Sequence, residues 1–170
     1  MDFAAIAQQC APTVAVETMA AVVTRESRGN PFAIGVNAGA RISRQPVNKA
    51  EAVETARALL KLSVSVDLGL AQINSANLSK LGLTVEGAFE PCSNLRAAEK
   101  VLRWCYDPAA QRYGAGQLAL QVALSCYNTG GYARGLANGY VQSVYRVARQ
   151  PGEVAHEPAL LPPGLQGRAP

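Results

Sequence analysis

The chain has one histidine in 170 residues, His156, and it falls in a final stretch rich in proline and glycine. A histidine-based triad and a histidine metal site are therefore out of reach for residues 1–150. The four cysteines, Cys10, Cys92, Cys105 and Cys126, lie far apart and lack the C-x-x-C or Cys/His spacings of a zinc site. No metal and no cofactor are expected. No window approaches the ~20 apolar residues that a membrane span needs. The N-terminus shows no basic segment followed by a long apolar run. No transmembrane segment is expected, and the route of any export is left open. Charge is sparse too: charged residues make up 16%, the formal net charge is +4, and the basic residues, among them Arg25, Arg28, Arg41, Arg44, Arg57, Arg96, Arg103 and Arg146, are scattered and form no run. Nucleic acid is not implied. A solvated surface with a small cationic excess accounts for the balance, and attraction to an anionic surface also fits.

What is present is apolar chain, 49% of the residues, enough for one buried core over residues 1–150 and too little for a second. Residues 151–170 read as a disordered Pro/Gly-rich tail. The even cysteine count suits up to two disulfides in any of three pairings, formed in an oxidising compartment; buried free thiols acting as small hydrophobes are the alternative.

Periodicity predicts a first helix from residue 12 or 13 to 28, with Thr13 near its start and Gly29 as the left-handed residue after its end. Residues 33–47 read as irregular chain or a small strand pair. Asn48 and Glu51 form a capping box for a helix ending near Leu62. Residues 63–67 alternate polar and apolar, which predicts a short strand or extended edge delivering Asp67 and Gly69 to a turn. Residues 73–81 read as helical, Ser93 caps a helix through Tyr106, residues 117–128 form an unusually apolar central helix, and residues 138–148 form the last. The fold class is mainly α: a helical domain with a small β-hairpin or extended segment.

Glu26 occupies a telling position in the first helix. Met19, Val22 and Val23 precede it by seven, four and three residues, which places all four on one helical face. Desolvation on that face and the negative end of the helix dipole both favour the protonated carboxyl. An acid of this kind is what glycosidic bond cleavage requires. The plainer alternative is a solvated glutamate in a last turn.

Three segments stand out together: Glu26-Ser27-Arg28-Gly29-Asn30-Pro31, Asp67-Leu68-Gly69-Leu70-Ala71-Gln72-Ile73-Asn74-Ser75, and Cys126-Tyr127-Asn128-Thr129-Gly130. They resemble, in order and spacing, the E-S-x-x-N-P, G-L-M-Q and A-Y-N-x-G motifs of lytic transglycosylases with the goose-type lysozyme-like (SLT) fold. The resemblance covers roughly residues 10–150 and is nearest to the small transglycosylase subunit of type IV secretion and conjugation systems, which Ala33-Ile34-Gly35-Val36-Asn37 also resembles. It implies an α+β lysozyme-like domain whose small sheet flanks a glycan cleft.

By this resemblance Glu26 is the single catalytic acid and base, Ser27 helps to position it, and the Tyr127 hydroxyl hydrogen-bonds the catalytic carboxylate. Gly69, Gln72, Asn128 and Tyr140 are placed at the bound glycan. Ala71 stands where the family has methionine, which takes bulk from the cleft floor. For the tyrosines, burial in the core with a satisfied hydroxyl is the competing role, and for Asn128 a structural one. Asp67 has two readings: the aspartate of animal-type lysozymes, acting as nucleophile or electrostatic stabiliser, or a turn carboxylate whose oxygens accept backbone N–H bonds.

The implied substrate is peptidoglycan, cut at the β-1,4 bond between N-acetylmuramic acid and N-acetylglucosamine with formation of 1,6-anhydro ends. The implied partners are envelope components of a type IV secretion system, the implied location is periplasmic, and a monomer is expected. A hydrolase using Glu26 and Asp67, and a glycan-binding assembly factor without catalysis, are the rival functions.

Overall fold

Helices make up most of residues 3–37 and 41–149, which are the residues that the computed structural model describes. The expected tail, with His156, lies outside the described residues. The chain divides into two compact units, Glu26–Ala98 on the one hand and Met1–Arg25 with Glu99–Pro170 on the other. In order, the elements are α1 (Phe3–Cys10), α2 (Val16–Ser27), β1 (Ile34–Val36), α3 (Lys49–Lys61), β2 (Val66–Leu68), β3 (Ile73–Asn74), a 3-10 turn (Ser75–Asn77), α4 (Leu78–Leu81), α5 (Val85–Ala88), α6 (Pro91–Tyr113), α7 (Gln117–Thr129), α8 (Arg134–Ala137) and α9 (Tyr140–Arg149). The chain is mainly α with one small antiparallel sheet, as its patterning predicts.

In the unit built from the two chain ends, the core is drawn from one stripe of each helix. Ala7 and Cys10 of α1, Met19 and Val22 of α2, and Leu102, Cys105 and Ala109 of α6 are all 5% exposed or less, as are Leu120 and Leu124 of α7 and Val141 and Val144 of α9. The apolar α7 buries six of its residues, although Leu118 in its first turn is 54% exposed. A disulfide joins Cys105 to Cys126, closing a separation of 21 residues, and none of the four cysteines is free. The reading of buried free thiols is thereby set aside. Thr13 does not cap α2, which begins three residues later; its N–H and hydroxyl both donate to Glu99 Oε1, at 2.7 and 2.6 Å. Helix α6 runs on to Tyr113 through Pro108 rather than ending at Tyr106. Proline removes one helical hydrogen bond, but Ala109, 1% exposed, continues the stripe of Leu102 and Cys105 and keeps the next turn against the core.

The unit Glu26–Ala98 is organised on the sheet, whose order is β1-β2-β3. The register pairs Ile34 with Leu68 and Leu68 with Ile73, a buried row, and Gly35 with Asp67 and Asp67 with Asn74, a row on the opposite face. Side chains alternate along a strand, so one face is apolar and the other polar. Two expectations are corrected here. Asp67 lies in the middle of the central strand, not in a turn, and residues 73–81 are not one helix but a strand, a 3-10 turn and the single-turn α4. The reason is Gln72, whose left-handed backbone (φ 50°) turns the chain back into β3.

Helix α3 starts as the capping box predicts. Asn48 Oδ1 accepts from Glu51 N–H at 2.9 Å, and the Glu51 carboxylate reaches back one residue further than the motif requires, to Val47 N–H at 2.9 Å. That N–H, together with the Arg44 guanidinium, holds the Glu51 carboxyl below its usual range. Helix α6 begins at Pro91, the first-turn position that proline favours, so Ser93 sits inside the helix and does not cap it.

Candidate active site

Glu26 and Ser27 are the last two residues of α2, both half-buried. The face that leads to Glu26 is buried as the spacing requires, with Met19 and Val22 1% and Val23 3% exposed. The helix stops because Arg28 (φ 56°) and Gly29 (φ 79°) are both left-handed. Asn30 then organises the exit: its N–H donates to Ser27 O at 3.1 Å and its Oδ1 accepts from Phe32 N–H at 2.9 Å. This asparagine turn hands the chain to Ala33, whose carbonyl accepts from Gly69 N–H at 2.9 Å and from Gln72 Nε2 at 3.2 Å. The first two motifs are thus linked by hydrogen bonds inside one unit.

The turn from Gly69 to Gln72 is held from inside by a residue that periodicity does not single out. Asn94 is fully buried; its Oδ1 accepts from Ala71 N–H at 2.8 Å, and its Nδ2 donates to Leu68 O at 2.9 Å and Ala88 O at 2.7 Å. A buried amide that satisfies three backbone groups rigidifies what it touches. Gly69 is required by the same contact. It is left-handed (φ 75°), and a Cβ there would stand 2.2 Å from Ala88 O and 2.4 Å from Asn94 Nδ2. Its missing side chain leaves room for protein, and Ala71, fully buried, directs its methyl inward as well.

Gln72 Nε2 also donates to Gly69 O at 2.9 Å, which leaves its Oε1 beside Gly35. A Cβ on Gly35 would lie 2.7 Å from that oxygen and 3.3 Å from Asp67 Cβ. Gly35 is therefore the gap over which Gln72 and Asp67 converge. The Asp67 carboxylate accepts from Asn37 Nδ2 at 3.0 Å on one oxygen and from Asn74 Nδ2 at 2.7 Å on the other. Both amides also approach Ser65 Oγ, at 3.5 and 3.2 Å. The bonds to Asp67 come from side-chain amides across the sheet, not from backbone N–H groups of a turn. The polar positions 65, 67 and 74 could have been found from alternation alone, since they interleave with buried Val66, Leu68 and Ile73; Asn94 carried no such signal.

The third motif lies in the other unit. Tyr127, half-buried, and Asn128, exposed, are in the last turn of α7, which ends at left-handed Gly130. The turn beyond is bound back onto the helix: Ser125 Oγ donates to Gly131 O and accepts from Gly135 N–H, each at 2.9 Å. Tyr140 is 2% exposed, with the Arg25 guanidinium 5.5 Å from its ring centre. Among the described residues, no cluster of histidine, cysteine, aspartate and glutamate could hold a metal ion, and no helix is long and apolar enough to cross a membrane.

Comparison with known proteins shows the family of the chain. The profile of the transglycosylase SLT domain matches residues 3–146. The chain is 44% identical over 172 residues to the type IV secretion system protein virB1 of Brucella abortus biovar 1, covering 98% of this chain and 70% of that protein. The protein of the same name from Brucella suis biovar 1 matches to the same extent. It is 41% identical over 156 residues to protein virB1 of Agrobacterium fabrum, covering 88% of this chain and 60% of that protein. No solved structure matches the chain.

Proposed function

The chain belongs to the transglycosylase SLT domain family and is a lytic transglycosylase, and we propose that it cuts peptidoglycan glycan strands between N-acetylmuramic acid and N-acetylglucosamine, leaving 1,6-anhydro ends. We further propose that it acts in the periplasm, opening the wall locally for a type IV secretion apparatus, as the names of its relatives suggest.

The observation that carries the chemistry is the address of Glu26, a half-buried carboxyl in the last turn of a helix whose same face is buried, inside the matched domain. Protonated Glu26 gives its proton to the glycosidic oxygen as the bond breaks. The acetamido group of the substrate stabilises the cation that develops at C1, as in substrate-assisted glycosidases. Glu26, now a carboxylate, takes the proton of the muramyl C6 hydroxyl, whose oxygen closes the anhydro ring. No water is consumed and a second carboxylate is not needed. In this scheme Ser27 orients Glu26, Tyr127 keeps the role that the family motif implies for it, and Gln72 offers its Oε1 to the sugar. Asn128, which is exposed, contacts the glycan, Tyr140 acts from within the core, and Gly69 keeps the turn beneath Gln72 in place.

One observation favours a second reading. Asp67 is fixed on the polar face of the sheet by two amides, which is how a hydrolase would hold a carboxylate in place beside a sugar ring. Mass spectrometry of digested sacculi separates the two. Anhydro ends, lighter by one water, are expected from the native chain and are lost in Glu26→Gln; reducing ends throughout would replace the transglycosylase reading with hydrolysis.

A further inference from the structure

Arg25 immediately precedes Glu26, and Asn128 immediately follows Tyr127. Within the unit formed by the chain ends, these two neighbours are the termini of one connected series of polar contacts. Arg25 Nε donates to Ser143 Oγ at 2.7 Å, and its guanidinium lies over the Tyr140 ring. Ser143 Oγ donates in turn to the Tyr140 carbonyl at 2.6 Å. The Tyr140 N–H donates to Asn138 Oδ1 at 2.9 Å, and Asn138 Nδ2 donates to Asn128 Oδ1 at 3.0 Å.

We propose that Arg25, Ser143 and Asn138 are positioning residues, which tie the C-terminal ends of α2 and α7 to the first turn of α9 and thereby fix the backbone from which Glu26 and Tyr127 project. This rests on the catalytic roles given to those two residues above.

The physical case is one of reach and anchoring. Adjacent Cα atoms are held about 3.8 Å apart by the trans peptide, so pinning Arg25 and Asn128 leaves Glu26 and Tyr127 little backbone freedom. Single exposed hydrogen bonds are weak because water competes for them. This series is different in having a solid centre, since the Tyr140 ring, 2% exposed, is part of the core. The two ends need such help: α2 terminates in two successive left-handed residues, and α7 in a glycine turn. The Ser143 hydroxyl acts in both directions, as donor to the Tyr140 carbonyl and acceptor from Arg25.

The test is steady-state turnover of soluble glycan strands by the full chain, with unfolding followed in parallel. Asn138→Ser keeps an oxygen able to cap Tyr140 N–H but is too short to reach Asn128, and Ser143→Ala removes the link to Arg25. Each is expected to lower kcat by roughly tenfold, with KM within about twofold, because small misplacement of catalytic groups is felt in the chemical step. The melting temperature should stay within about 3 °C of the parent. Ser143→Thr, which retains the hydroxyl, should restore kcat. Parental kcat in Asn138→Ser and Ser143→Ala overturns the proposal, as does a Ser143→Thr chain no better than Ser143→Ala. Glu26→Gln is the reference: if it is inactive while the positioning variants are parental, only the positioning role falls, and if it turns over like the parent, both readings fall together.

Discussion

The two units of this chain are held together by different means. In the unit formed by the chain ends, long helices present apolar stripes to one another, and a disulfide between Cys105 and Cys126 adds a covalent tie. In the unit Glu26–Ala98, the strands are two or three residues long, and the shape depends on side-chain amides that bind backbone: Asn94 beneath the Gly69 turn, Gln72 across it and Gln45 against Ile34. Apolar packing tolerates exchange of one hydrophobe for another of similar volume. A polar tie satisfies named atoms and has no substitute of another chemistry. The unit that holds the proposed acid and Gln72 is thus the less forgiving one.

The sharpest way to break this contrast is Asn94→Leu, which keeps bulk but takes a partner from Ala71 N–H, Leu68 O and Ala88 O. A loss of roughly 3–5 kcal/mol is expected, with hydrogen exchange rising first in residues 66–74; uniform loosening of the whole chain would contradict it. Next comes Cys105→Ser with Cys126→Ser. Closing a loop of this length contributes roughly 3 kcal/mol, and chemical denaturation should show that loss while exchange protection of the β2–β3 segment is kept. Asn48→Ala should cost about 1 kcal/mol by removing the cap of α3. A companion change, Glu51→Gln, tests the charge on that cap. Glu51 has its folded pKa below the ordinary value of 4.5, so its contribution is present above that value and is lost as pH falls through the folded one. The Gln variant should show a flatter acid limb in pH-dependent melting.

The smallest effect is expected at Tyr145 on α9. Burial raises its hydroxyl above the ordinary value of 10.0, against the opposing pull of Gln121 and Arg149. The folded pKa being the higher one, this stability is fully present below the unfolded value and is lost as pH rises through the folded one. Tyr145→Phe should flatten the alkaline limb above pH 10 and leave neutral stability within about 0.5 kcal/mol.

The same contrast explains what could be read from sequence. The stripe of Met19, Val22 and Val23 announces α2 and the buried side of Glu26, and Asn48 with Glu51 announces α3, because helix periodicity and caps are local signals. The three motifs were likewise legible in order. Residues 73–81 carry a helix-like pattern, but the decisive event is the left-handed Gln72, a backbone state that nothing in its side chain demands. Helix α6 outruns its sequence pattern because core packing at Ala109 overrides the stop that Asp107-Pro108 signals. Helix α1 leaves no pattern to read, since eight residues carry too few turns to establish a period. Asn94 was invisible for a different reason: a polar residue on a helix is read as surface unless its partners, 23 and 26 residues away, are known.

The three-residue strand β2 sets a rule for how this chain can change length. Its side chains alternate, with Val66 and Leu68 facing the core and Asp67 facing away. A shift of one residue would drive the carboxylate inward and both apolar side chains into water. A shift of two would keep the faces but withdraw Asp67 from Asn37 and Asn74 together. Insertions and deletions that survive in this sheet must therefore be absorbed in the connections outside it, and relatives should align across residues 65–75 without gaps even where their loops differ in length.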